Sequence, residues 1–336
     1  MRAAIYNGKE NVKFIQLPTP HAKDTDIIIR NLYAGICGTD VAVYQQGPHT
    51  GHRISVGSEF GHEMVSEVAE VGCKVQDIHP GDIVYPYPLL AKGDPTRAGT
   101  LGGFSEYIRI PDAQLYKNIY PVPSKIPLRT ACLIEPFTVG FRAARRACPK
   151  HGEKAVVFGA GTIGIASAIG LKYFGCDNVM LCDVSALRLQ KAEDLGFSIC
   201  HMRKENLQEK AMRVFGTAPS LHGATADASI YIDAAGALEL LEMYQSMGKI
   251  ESRMVVVAVQ SALRSIDVLD MVYSQHALIG SGGYMPEDVW DVMHMMEKGD
   301  WDIEHIITHE FAWEDLCTAL QTAGDPKHAL NVMIRY

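Results

Sequence analysis

Eight cysteines occur in the chain, at positions 37, 73, 132, 148, 176, 182, 200 and 317, yet no two of them form a C-x-x-C pair. That absence excludes a cysteine-knotted metal module, and the apolar settings of these thiols point to a reducing compartment rather than a disulfide framework. Only Cys37 stands in a chemically suggestive context. Long apolar runs are missing as well, and nothing approaches the roughly 18–20 residues a membrane-spanning helix needs. The opening MRAAIYNGKENVKFIQ scatters charges among its apolar residues, so neither a signal peptide nor an anchor is expected, and a cytoplasmic protein without a membrane partner is. Blocks of one charge sign are lacking: 31 basic and 39 acidic residues spread over the chain for a formal net charge of -8. Nucleic acid is therefore not an expected partner. What is present is an ordinary globular mixture, 47% hydrophobic and 21% charged, in 336 residues. Single cores rarely grow beyond roughly 250–300 residues, so two domains and small-molecule chemistry are expected.

Short β segments separated by Gly, Pro and Asp turns fill the first hundred or so residues: AAIYN, DIIIRNLYAG, MVSEVAEVG, DIVYPYP and FSEYIRI. They predict an all-β, partly barrel-like domain. From about Thr130 the texture changes to apolar strands alternating with helices, through AVVFGAG, IGIASAIGLKYFG, NVMLCDV and LRLQKAEDLG. Strand, crossover helix and strand is the pattern of a parallel sheet. ASIYIDAAG, LELLEMYQSMG and RMVVVAVQ continue it, and after SGGYMPEDVW an amphipathic helix, DVMHMMEKG, leads into short β pieces. The fold class is thus α/β. Residues 1–136, completed by 280–336, form the β-rich domain, and residues 137–279 the doubly wound one. The segment from Leu89 to Gly103 reads as an exposed loop.

Gly159-Ala160-Gly161-Thr162-Ile163-Gly164 follows the strand AVVF and opens a helix, and Asp183 closes the next strand 19 residues after the last glycine. Gly159 permits the tight turn, Gly161 the approach of a pyrophosphate, and Gly164 close packing of helix on strand. Thr162 and Ile163 fill the first helical turn, whose amides and partial positive charge favour an anion. Asp183 would accept both ribose hydroxyls and repel a 2′-phosphate, so NAD is expected over NADP. Arg188 either covers the adenine or, in the opposite reading, attracts that phosphate. An ordinary tight βα turn is the bland alternative.

Three residues of zinc-binding chemistry lie in the β-rich part: Cys37 in AGICGTD, and His62 with Glu63 in GSEFGHEM. Zinc takes thiolate and imidazole, and a catalytic site needs about three protein ligands and an open position. Glu135 in LIEPFTVG, at the domain junction, offers a further carboxylate. Taken from spacing alone, the same residues also read as a buried thiol, a loop histidine and a loop glutamate.

AGICGTD, GHE ahead of SEVAEVG, GGFSEY, LIEP with its following VG, and GAGTIG with Asp183 resemble, in this order, the hallmarks of the zinc-containing medium-chain dehydrogenases of the alcohol dehydrogenase superfamily. The branch of sorbitol and related polyol dehydrogenases is the most similar. The resemblance runs from about residue 30 to 200; the remainder matches in texture only. It implies a GroES-like β-rich catalytic domain beside a Rossmann domain, and a homodimer or homotetramer. It further implies a catalytic zinc on Cys37, His62 and Glu63, with Glu135 as a direct or water-mediated ligand. Thr39 takes the place of the hydroxyl residue beside the reacting oxygen. Two departures matter. Residues 87–103 contain none of the four cysteines that hold a structural zinc in many members, so one zinc per chain is expected. Ala42 stands where the family often has a histidine five residues after the cysteine ligand, so the proton must leave through the ribose, water or a histidine such as His49 or His52.

The expected activity is hydride transfer between NAD and the carbinol carbon of a secondary alcohol, a polyol, cyclitol or sugar alcohol, with zinc as Lewis acid. Gln45, Gln46, His49 and Arg53 are candidates for the pocket rim, against a merely solvated loop. Phe60, Leu101, Phe137 and Tyr284 would instead line a pocket for a bulky alcohol such as a hydroxysteroid, against ordinary core. A metal-free quinone or enone reductase using NADPH is opposed by the metal set and by Asp183. A non-catalytic NAD-binding protein would leave the open zinc site without a purpose. RMVVVAVQ and SALRSIDVLDM are candidate interface elements, against an internal strand.

Overall fold

The computed structural model describes residues 1–48, 50, 53–91, 97–259 and 262–336. His49 and His52 lie outside them. Two compact units divide the chain, Met1–Glu135 with Met293–Tyr336, and Pro136–Val292. In the first unit β1 (Arg2–Tyr6) and β2 (Val12–Gln16) form an antiparallel pair. β3 (Ile27–Gly35) leads into helix α1 (Gly38–Gln46), then β4 (Glu63–Val71), β5 (Ile83–Pro86), β6 (Tyr107–Ile110), β7 (Ile119–Pro121) and the short α2 (Leu128–Ala131). Helix α1 departs from the all-β expectation. Its buried face is Asp40, Val43 and Tyr44, helically spaced but headed by a charged residue, which apolar counting passes over.

The second unit takes up most of α3 (Ile134–Arg146) and continues with β8 (Lys154–Phe158), α4 (Thr162–Tyr173), β9 (Asn178–Asp183), α5 (Ala186–Asp194), β10 (Ser198–His201) and α6 (Leu207–Phe215). A small antiparallel hairpin, β11 (Thr217–Ser220) and β12 (Gly223–Ala226), follows, then β13 (Ile230–Asp233), α7 (Glu239–Met247), β14 (Arg253–Val256), α8 (Val268–Ser274), β15 (Ala277–Gly280) and α9 (Pro286–Lys298). The main sheet is parallel throughout, in the order β10-β9-β8-β13-β14-β15. Continuous burial along β13 is what a strand covered on both faces requires. RMVVVAVQ supplies β14, an internal strand between β13 and β15, so the candidate edge role passes to β15. Residues 280–292 lie in this unit, where Arg145 of α3 binds Asp288 at 2.7 Å and also pairs with Asp291.

The tail returns to the first unit as β16 (Ile307–Ala312), α10 (Leu316–Ala323) and β17 (Asn331–Arg335). Its sheet runs β16-β17-β3-β4-β5-β7, with β6 also on β3. Ile27, Ile29, Met64, Val68, Ile108, Leu316 and Ile334 belong to one buried cluster. Phe60 and Leu101 fall in the same cluster, and Phe60 packs edge-on against Tyr6 and Phe104, which is core packing rather than a pocket wall. Phe137 and Tyr284 are likewise buried, in the second unit. Within the expected loop at Leu89–Gly103, Ala91, Leu101, Gly102 and Gly103 are buried among the described residues. No helix among the described residues is long and apolar enough to cross a membrane.

Candidate functional site

Cys37 caps the start of α1, separated from the end of β3 by Ile36, while His62 immediately precedes β4, the neighbour of β3, and Glu63 opens it. Antiparallel register sets Gly35 opposite Glu63. A Cβ on Gly35 would stand 2.5 Å from Glu63 Oε2, so a side chain there would push the carboxylate aside where it crosses the neighbouring strand. The turn into His62 is fixed from behind. Gly61, at φ +91, accepts at its carbonyl the N–H groups of Gly102 (3.1 Å) and Gly103 (2.9 Å), and Phe104 N–H donates to Phe60 O at 2.9 Å. Asn31, buried in β3, donates to Gly103 O and Ser105 O and accepts from Ser66, which anchors that same segment. The GGFSE stretch thus supports the GHE stretch.

Ligand atoms of Cys37, His62 and Glu63 all lie within 4.8 Å of one another. Glu135, 7% exposed in the first turn of α3, stands outside that group, but its charge acts on Glu63. Without a cation the cluster is electrostatically costly. Burial foremost, and then Glu135, push Glu63 up to about 8; burial, and then Glu63, push the Cys37 thiol up to about 11. Burial opposes the charged form of His62, but the Asp40 carboxylate and Cys37 outweigh it and raise the imidazole well above its ordinary value. A thiol, an imidazole and a buried carboxylate close together are the donor set zinc prefers, and a divalent charge would offset this desolvation. The residues present therefore fit a zinc ion.

Asp40 was not singled out by sequence. It is fully buried, its Oδ2 accepts the Cys37 N–H at 3.1 Å, and its Oδ1 lies 3.7 Å from His62 Nδ1. It faces the ring across that gap, an approach that would leave the other nitrogen for an ion. The spacing from Cys37 to Asp40 is that of a helix-capping box, the signal that would have found it. Thr39 and Ala42 are half-buried on the same helix. The Gln45 side chain packs against Gly324, whereas Gln46 and Arg53 are exposed.

In the second unit Gly159 has φ +97, and a Cβ on it would meet Ala234 and Ala235 at 3.1 Å; one on Gly164 would come within 1.8 Å of Gly159 O. Gly161, by contrast, has only Arg188 Nη1 near, at 3.6 Å from a built Cβ, so its outer side is open to a ligand. Thr162 and Ile163 begin α4. Asp183 leans over this loop, accepting Ala160 N–H on Oδ2 at 2.7 Å and the N–H groups of Val184 and Ser185 on Oδ1. Burial lowers the Arg188 guanidinium and Asp183 partly restores it.

Residues 23–124 match the alcohol dehydrogenase GroES-like domain, and residues 162–298 match the zinc-binding dehydrogenase domain. The (R,R)-butanediol dehydrogenase of Bacillus subtilis is 27% identical over 94% of this chain and 94% of its own. Sorbitol dehydrogenase of Pongo abelii is 26% identical over 95% of this chain and 91% of its own. In fold the chain is similar to the crystal structure of 2R,3R-butanediol dehydrogenase from Bacillus subtilis, with a TM-score of 0.85, 23% identity and coverage of 100% and 99% of the two chains. The chain belongs to the zinc-containing medium-chain dehydrogenases of the alcohol dehydrogenase superfamily, enzymes acting on CH–OH groups.

Proposed function

We propose that the protein oxidises a secondary alcohol of the polyol or vicinal-diol class with NAD, using one zinc per chain held by Cys37, His62 and Glu63, with Glu135 beside them. The observation that carries this is the mutual approach of those three ligand groups within 4.8 Å in a buried setting. When bound, zinc supplies Lewis acidity that lowers the pKa of the substrate hydroxyl. Asp40 holds the His62 ring, and the hydroxyl of Thr39 takes the substrate proton outward. With Ala42 at the next relay position, the proton continues through ribose or water. The sorbitol and butanediol dehydrogenases among its relatives support the substrate class. Phe60, packed in the core against Tyr6 and Phe104, gives no support to a hydroxysteroid pocket.

NAD is favoured over NADP because Asp183 sets a carboxylate at the end of β9 over the glycine loop. A homodimer or homotetramer is favoured by the edge strand β15 together with the exposed Val268, Leu269, Val272 and Tyr273 of α8. Buried thiols free of disulfides, such as Cys132, Cys176, Cys182 and Cys200, favour the cytoplasm.

The test is elemental analysis of purified protein paired with NAD and NADP reduction assays on sugar alcohols, cyclitols, 2,3-butanediol and hydrophobic secondary alcohols, with mass measured by light scattering. About one zinc per chain with chelator-sensitive NAD reduction on a polyol or diol supports the assignment. Full turnover in a metal-free sample would overturn it.

A further inference from the structure

An ion pair backs the glycine loop that the fingerprint itself does not contain. Asp233 ends β13, the strand beside β8 at the point where the order of the sheet reverses. Its Oδ1 accepts the N–H groups of Ala235 (3.1 Å) and Gly236 (2.7 Å), and its Oδ2 accepts from Arg264 Nη1 at 2.7 Å. The main-chain oxygen of the same residue accepts from Val257 and Ala258, both at 3.0 Å. Asp233 therefore joins three segments. The turn it fixes lies directly against Gly159, whose built Cβ would stand 3.1 Å from Ala234 O and Ala235 N. Arg264 returns from the segment after β14 to close this arrangement, its side chain 12% exposed and that of Asp233 fully buried. Leu263 beside it is 98% exposed, so burying Arg264 is not a by-product of packing the segment. One nitrogen, Nη2, is buried without a hydrogen-bond partner among the described residues.

Ligands of doubly wound sheets lie outside the carboxyl ends of the strands at the reversal point. Asp183 at the end of β9 marks the adenosine side, which leaves the ends of β13 and β14 for the other half of a dinucleotide. We propose that Asp233 and Arg264 are a positioning pair for the nicotinamide half: Arg264 fixes the Asp233 carboxylate, and Asp233 fixes residues 234–236 behind Gly159. The inference rests on the assignment of a dinucleotide to this unit.

The test titrates the full-length, zinc-loaded protein with NADH, ADP-ribose and AMP by fluorescence and calorimetry, alongside steady-state kinetics. An alanine at either position would strand a buried charge, so two gentler variants are used. Arg264→Lys keeps the charge but not the guanidinium fork. Asp233→Asn combined with Arg264→Met removes both charges and keeps an acceptor for Ala235 and Gly236. The double variant should weaken NADH and raise KM for NAD by about tenfold, while AMP affinity stays within about twofold and Arg264→Lys falls between. Wild-type NADH affinity in both variants, or equal loss of AMP and NADH, overturns the pair's positioning role. If the wild-type protein binds none of the three probes, the dinucleotide assignment falls, and the pair's role with it.

Discussion

The proposed zinc site and the proposed dinucleotide site solve opposite problems. In the first unit the groups are ionisable side chains drawn from residues 37, 62, 63 and 135, and without a cation burial pushes Glu63 up to about 8 and the Cys37 thiol up to about 11. The second unit works mostly with backbone. Gly159, Gly161 and Gly164 clear the space, and the Asp183 carboxylate is already satisfied by three N–H groups. A site of that second kind is complete before its ligand arrives, whereas the first is only half of an ion pair. Metal loading should therefore dominate the behaviour of one unit and leave the other almost untouched.

The sharpest way to break this contrast is His62→Ala. Turnover should fall by about 10³-fold or more and zinc should be lost, while NADH affinity measured by fluorescence stays within about twofold. Parallel loss of NADH binding would show that the two sites are not separable. Asp40→Asn comes next, with an expected 10–100-fold fall, roughly, in zinc affinity or activity, read by competition with a chromogenic chelator. Unchanged zinc affinity would remove Asp40 from the site. On the other side, Asp183→Ala should raise KM for NAD about tenfold and narrow the gap to NADP without altering zinc content. A retained preference for NAD would shift the discrimination to another residue.

The smallest effect is the pH dependence of the metal-free protein. Because Glu63 is raised when folded, the native state keeps a proton that the unfolded chain has released between the ordinary carboxylate range and about pH 8. Stability is then lost as pH rises through that window. A chelator-stripped sample should melt roughly 2–4 °C lower at about pH 8 than at about pH 6, and zinc should flatten the slope. Equal melting temperatures would mean that the carboxylate is solvated.

Legibility in the sequence followed the same divide. The doubly wound unit could be read from contiguous signals, because a glycine loop between strand and helix constrains only a few neighbouring residues. The proposed ligands Cys37, His62, Glu63 and Glu135 could be picked out by residue type but were tied into one site through resemblance, since nothing local says that β3 and β4 are neighbours or that α3 begins close enough for Glu135 to act on Glu63. Asp40 was hidden by its own burial, a charged residue heading the inner face of α1. Gly35 gave no signal either, because its role is to make room for Glu63 across a register that only the fold reveals. Phe60, offered as a pocket wall, shows that an aromatic residue near a motif is often filling the core that holds it.

Asp40 also bears on how this enzyme can be altered. One carboxylate serves the backbone of one ligand residue and faces the ring of another, so any replacement perturbs two at once. Libraries aimed at new substrates should keep residues 37–40 fixed and place their diversity at Ala42, Gln46 and Arg53, where a change leaves the wiring of the ligands alone.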